Sequence, residues 1–97
     1  MKQILIRLRA IKKEISDLYN QIQDLERARL IALTEALASG KEDQIKAAAL
    51  FGETCVYQAQ QRADRAQSLA DEAEALAAVV ATMASGVEYP DWNSILN

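Results

Sequence analysis

The chain has 97 residues and no histidine, with a single cysteine, a single proline and a single tryptophan. Without histidine there is no Ser-His-Asp or Cys-His arrangement, and no imidazole to hold a metal. One cysteine forms no internal disulfide and builds no zinc cluster within one chain, a usage that fits a reducing compartment. Gly40, Gly52 and Gly86 stand alone, so there is no glycine-rich phosphate loop. No run approaches the ~20 apolar residues of a membrane span, and Arg7 and Arg9 interrupt the first apolar patch too early for a secretory signal. A net charge of −3 gives no bulk attraction to nucleic acid or an anionic membrane. These absences predict no catalytic residue, no metal and no cofactor. They predict a protein that is not an enzyme, does not bind a membrane and resides in the cytoplasm, or is exported by a route without a cleaved signal.

What the chain has is helical periodicity. Ile45, Ala48, Gly52, Cys55, Ala59, Arg62, Ala66, Leu69, Ala73, Leu76, Val80 and Met83 recur at alternating three- and four-residue spacings, the heptad seam of a long α-helix. Gly52, Ala59, Ala66 and Ala73 lie seven apart, so one row of this seam is nearly flat. A flat row lets another helix come close. An earlier stripe, Ile4, Leu8, Ile11, Ile15, Leu18, Ile22, Leu25, predicts a first helix over about 3–38. With Leu8, Ile15 and Ile22 at a positions, Ile4, Ile11, Leu18 and Leu25 occupy d. Arg29 falls on the next a position. The strict heptad fails there, and Leu30, Leu33 and Leu37 are expected to carry the seam on along a rotated face, across a four-residue insertion.

Ser39-Gly40-Lys41 reads as a turn at 39–41. Gly40 suits a left-handed position after a helix, and Glu42 and Asp43 suit the first turn of the next. The second helix is expected over about 42–84. Residues 85–97 form a tail of different composition. Pro90 there can open a short helix on which Trp92, Ile95 and Leu96 share a face.

A short turn between two long amphipathic helices predicts an antiparallel hairpin. Charge agrees. Lys2, Arg7, Arg9, Lys12 and Lys13 make one end basic, and Asp71, Glu72 and Glu74, with Glu88 and Asp91, make the other acidic. Folding at Gly40 brings these ends together. It also sets Ile22 opposite Ala59, Ile15 opposite Ala66 and Leu8 opposite Ala73, large against small. Arg29 then falls near Glu53, an expected neutralising pair. The expected fold is all-α: two long helices in an antiparallel coiled-coil hairpin with a short C-terminal appendage, completed to a four-helix bundle by dimerisation. A chain this short buries only about 60–65% of its unfolded surface even when globular, and a hairpin buries less.

A second stripe on helix two, Ala49, Val56, Ala63, Ala70 and Ala77, occupies e positions beside the seam. One seam is enough for a hairpin, so this extra apolar width, with Tyr57 flanking it, predicts an oligomer interface. Cys55 reads as a buried packing thiol. The 71–74 carboxylates read as a solvated face, and Tyr19 and Tyr57 as helix-packing residues. Arg29 and Arg62 are expected to snorkel or to pair within the fold. Tyr89, Trp92, Ile95 and Leu96 are the candidate partner-binding residues, either covering the open end of the hairpin or anchoring in a groove on another protein.

A hairpin of this length is similar to the small exported helical-hairpin family that carries Trp-x-Gly in its turn and Tyr-x-x-x-Asp/Glu after its second helix. Here the turn is Ala38-Ser39-Gly40, and Tyr89 is followed by Asn93 in the place of the acid. Neither signature is present, and the chain is not assigned to that family. Small secretion chaperones and small phage inhibitors of host complexes share the general build, a likeness of fold only. The expected function is a non-enzymatic protein-interaction module, an adaptor, chaperone or inhibitor of a protein complex, binding a protein partner through a helix face and the aromatic tail. The alternative is a structural or assembly subunit acting as a homodimer or larger bundle. Nucleic-acid binding through the basic first helix is the least favoured.

Overall fold

The computed structural model describes residues 1–84 as two helices, α1 (Lys2–Ser39) and α2 (Glu42–Ala84), packed against each other as a hairpin. The tail, with Tyr89, Trp92, Ile95 and Leu96, lies outside the described residues. The molecule measures 69 × 18 × 17 Å. That length is the ~64 Å expected of the 43-residue α2 plus its end groups. Its accessible surface is 7193 Å², against about 5,500 Å² for a compact protein of 10.7 kDa. Two helices side by side have only one shared interior, and most of each helix faces outward.

The reversal is local chemistry. Gly40 closes α1 with φ 66°, a left-handed conformation that costs any residue with a Cβ, and its N–H donates to the Leu37 carbonyl at 3.2 Å. The Ser39 hydroxyl donates to the Ala36 carbonyl at 2.6 Å and accepts the Lys41 N–H at 3.2 Å. The Ile45 N–H reaches the Lys41 carbonyl at 3.0 Å, which starts α2, and Glu42 and Asp43 place negative charge against its free N–H groups.

The register follows from three polar contacts across the pair. Arg7 meets Glu72, Arg65 meets Glu14 and Arg62 meets Gln21, partners whose numbers add to between 79 and 83. This is the antiparallel arrangement that folding at Gly40 predicts. Ile11, Ala48, Gly52, Cys55, Ala66, Leu69 and Val80 are buried along the seam, with Ile15, Leu18, Ile22, Leu25 and Ala73 half-buried beside them. Met83 is exposed, and Ala84 is buried in its stead.

The upper half of α1 departs from the sequence expectation. Leu30, Leu33 and Leu37 are exposed, and the inward positions are Ala28, Ala32 and Ala36. The reason is what they meet. Opposite them α2 presents the small side chains of Ala48, Gly52 and Cys55, all buried. A leucine row on that seam would hold the helices apart and leave voids around glycine. Arg29 is also outside the seam. Its stem lies over Gly52, where an added Cβ would come 3.3 Å from Cγ. The expected Arg29–Glu53 pair is not formed, and among the described residues Arg29 makes no ion pair or hydrogen bond. Once α1 turns its alanines inward, the guanidinium is carried into solvent and needs no partner.

Two glycine substitutions should act in opposite directions in thermal unfolding followed by circular dichroism. Gly40→Ala is expected to lower stability by about 1–2 kcal/mol through left-handed strain. Gly52→Ala is expected to raise it by up to about 1 kcal/mol, because alanine favours helix and the exposed Arg29 stem is free to shift by a few tenths of an ångström.

Candidate functional site

The two flanks of the seam differ, and the difference follows heptad position. With Leu8 at a, the g positions of α1 include Arg7, Glu14 and Gln21, and those of α2 include Arg65 and Glu72. In an antiparallel pair the g rows face each other along one flank and the e rows along the other. Over residues 7–21 of α1 and 62–72 of α2 the g flank is bridged by polar contacts, while nearer the turn its Phe51 is 44% exposed. Arg7 grips Glu72 in a bidentate pair at 2.5 and 2.7 Å, Arg65 donates to Glu14 at 2.9 Å, and Gln21 accepts from Arg62 at 2.8 Å. Arg62, expected on the seam, swings to this flank and also donates to the Gln58 carbonyl at 3.1 Å.

The e flank is open. Between Leu33 and Ala49 at the turn end and Ile22 and Ala63 at mid-length, the structure holds two adjoining grooves of about 620 and 260 Å³. They share Arg29, Val56 and Gln60 and so form one channel. Its floor is made of seam residues such as Gly52, Cys55 and Ala59, and its walls of Leu33, Glu26, Ala49, Val56 and Ala63. From Ala49 to Ala63 the channel runs about 21 Å, four turns of helix. Leu33 is 38% and Val56 52% exposed.

Of the candidate interface residues, Ala49, Val56 and Ala63 line this channel. Ala70 and Ala77 continue the same row toward the open end, exposed and half-buried respectively. Tyr57 sits at the channel's edge, 65% exposed, and its hydroxyl accepts from Gln61 at 3.1 Å. Tyr19 is exposed as well. Neither tyrosine is a seam residue, because the Ala- and Gly-rich seam leaves no space for a ring. The opposing wall on α1 was not singled out from sequence. Its row is Leu5, Lys12, Tyr19, Glu26, Leu33, seven apart, and the heptad count from Leu8 contains it. Its mixed polarity hides it from a search for apolar stripes.

Cys55 is buried and free. Of the 71–74 carboxylates, Glu72 is engaged with Arg7 and Asp71 with Gln67 at 2.9 Å on the surface. Among the described residues no group of three or more His, Cys, Asp or Glu is placed to hold a metal, and no helix is long and apolar enough to cross a membrane. Exposed Lys12 and Lys13 are not interleaved with stacking aromatics. What the site can do is receive an apolar helical surface along its e flank. No protein-family model, curated protein or solved structure matches the chain.

The Arg7 hydrogen bonds hold the Glu72 carboxyl below the usual glutamate range. A carboxyl depressed by folding adds stability that is present above its unfolded value, about 4.3, and lost as pH falls through the lower folded value. Glu72→Gln is therefore expected to lower the melting temperature at pH 7 and to flatten its decline between about pH 5 and 3. Melting curves across that range check it; an unchanged acid limb would mean that the pair does not couple to folding.

Proposed function

We propose that this chain is a non-enzymatic, cytoplasmic protein-interaction module, an adaptor, chaperone or inhibitor of a protein complex, that works by packing a helical partner against the e flank of its hairpin. The observation that carries this reading is the asymmetry of the two flanks. One is bridged by cross-helix polar contacts over the half away from the turn, and the other keeps a mostly apolar channel walled by exposed Leu33, Ala49 and Val56, with Arg29 and Glu53 among its lining. A channel about four turns long and one side chain wide suits an amphipathic helix that presents residues at three- and four-residue spacing. The tail residues Tyr89, Trp92, Ile95 and Leu96 supply a second contact in this reading, on the strength of residue type alone: Trp and Tyr are common anchors of protein interfaces.

A structural reading, in which the module's role is its own homomeric bundle, is favoured by the apolar row continuing past the channel through Ala70 and Ala77. Both readings use the same flank and differ in its occupant.

A photo-crosslinking residue at Leu33 or at Asn20 separates the e flank from the solvent side of α1. In cells, Leu33 is expected to yield a discrete crosslinked protein, which mass spectrometry identifies, and Asn20 is expected to yield none. Equal capture at both positions would remove the e flank from the function.

A further inference from the structure

We infer that residues 85–97 turn back at Ser85-Gly86 and dock on their own hairpin, on the e flank of its open end, over Ala77, Ala81 and Ala84 and against Lys2 and Arg9. This docking stands independently of what fills the channel. It leaves the channel at the turn half open and fixes the place from which the tail meets a partner.

The observation is a reversal of burial along one row of alanines. Ala49, Ala63, Ala70, Ala77 and Ala84 all occupy e positions of α2. Ala49 and Ala70 are exposed and Ala63 and Ala77 half-buried, yet Ala84 is 3% exposed. Burial should fall toward this end, because α1 runs out. The partner numbers of the cross-helix contacts add to between 79 and 83, so Lys2, the first residue of α1, stands level with residues 77–81. Ala84 lies about 4–10 Å further on. Met1, which precedes α1, is itself exposed. Among the described residues no helix stands beyond α1 to cover Ala84.

The side from which the cover comes is also given. The e direction of a helix lies between a and b. At this end Val80 at a is buried and Ala81 at b is half-buried, while Val79 at g is exposed and Met83 at d is 51% exposed. An extension of the seam would cover Met83. A segment on the e flank covers Val80, Ala81 and Ala84 and leaves Met83 in water, which is the pattern observed. The chain resumes next to Ala84 with Ser85-Gly86, the same dipeptide as the Ser39-Gly40 that ends α1 in a left-handed turn.

Charge and reach agree. On this face of the open half, the b and e positions of α1 carry Lys2, Arg9 and Lys12, all exposed and without a side-chain hydrogen bond or ion pair among the described residues. The facing b and e positions of α2 carry one acid, Glu74, and the g flank is neutral in its Arg7–Glu72 and Arg65–Glu14 pairs. The tail brings two acids, Glu88 and Asp91, and no base. From Ala84 back to the level of Lys2 is about 4–10 Å and to that of Arg9 about 15–21 Å. Glu88 and Asp91, four and seven residues past Ala84, span at most about 14 and 25 Å. The tail's Trp92, Ile95 and Leu96 are large, and the alanines of α2 beneath them are small.

The test uses the full chain. Trp92 is its single tryptophan, so tryptophan fluorescence reports the tail alone. Its emission is expected to be blue-shifted from that of free tryptophan and shielded from acrylamide. Ala81→Arg, on a face that α1 does not reach, is expected to abolish both effects while circular dichroism shows unchanged helix. A nitroxide at Lys12→Cys, in a Cys55→Ala background, is expected to quench Trp92. One at Ala10→Cys, nearly level with it but on the outer surface of α1, is expected to leave the emission unchanged. A solvated Trp92 in the unaltered chain overturns the proposal, and so does equal quenching at the two positions. Loss of the Lys12→Cys quenching on mixing with excess unlabelled Trp92→Phe chain also overturns it, by placing the tail on a second copy. A solvated Trp92 beside a retained crosslink at Leu33 would sink the docked tail and leave the interaction reading standing.

Discussion

Everything in this hairpin depends on how little side chain the seam carries near the turn. Ala48 and Gly52 on α2 bring little side chain to the seam, α1 answers with Ala28, Ala32 and Ala36, and the Arg29 stem lies over Gly52. That scarcity leaves dispersion contacts between short side chains in place of leucine interdigitation. It also decides what is excluded. Leu30, Leu33, Leu37, Val56 and Arg29 are all displaced to the flanks or the outer surface. The channel on the e flank is a by-product of that displacement, with small residues forming a floor and larger ones standing as walls.

The same constraint explains which parts were legible before the structure. The α2 stripe has one apolar row at heptad spacing, so its inward face is unambiguous from Ile45 to Val80. The lower half of α1 is equally clear, with one isoleucine-leucine row from Ile4 to Leu25. Beyond Leu25, α1 carries two rows of helical period, the alanines at 28, 32 and 36 and the leucines at 30, 33 and 37. Hydropathy favours the leucines. Only the shape of the opposite helix settles the matter, and a stripe read on one helix carries no information about what it meets. Arg29 is the same error in another form. A charge placed on the seam demands a neutralising partner, and the demand disappears once the helix rotates the residue outward.

Polar pairing separates the two flanks as small residues separate seam from surface. Arg7, Glu14 and Gln21 lie seven apart and each finds a partner across the pair. Their long side chains bridge the g flank between residues 7–21 and 62–72, and leave Phe51 and Val79 exposed on either side. On the e flank the corresponding α2 row is mostly alanine, which cannot reach across to Lys12, Tyr19 or Glu26. Those residues are left with unused capacity for hydrogen bonding, charge and apolar contact, all on one side. The gross charge pattern of a basic end and an acidic end was readable as a cause of antiparallel pairing. Its confinement to one flank was not, because flank is a property of register.

The exposed leucines bear on why the chain keeps this arrangement. Burying a leucine fully is worth about 1.5–3 kcal/mol relative to leaving it in water. The lone hairpin forgoes part of that at Leu30, Leu33 and Leu37, along with part of the burial of Val56. Selection for hairpin stability alone would place polar residues there, as it does at Asn20 and Arg27 on the solvent side of α1. Scattered apolar residues on a surface need no explanation, but Leu33, Ala49 and Val56 are not scattered: they wall one channel on the flank that lacks polar closure. The contiguity of these residues, rather than their exposure, is what supports the proposal that this flank packs against another helix.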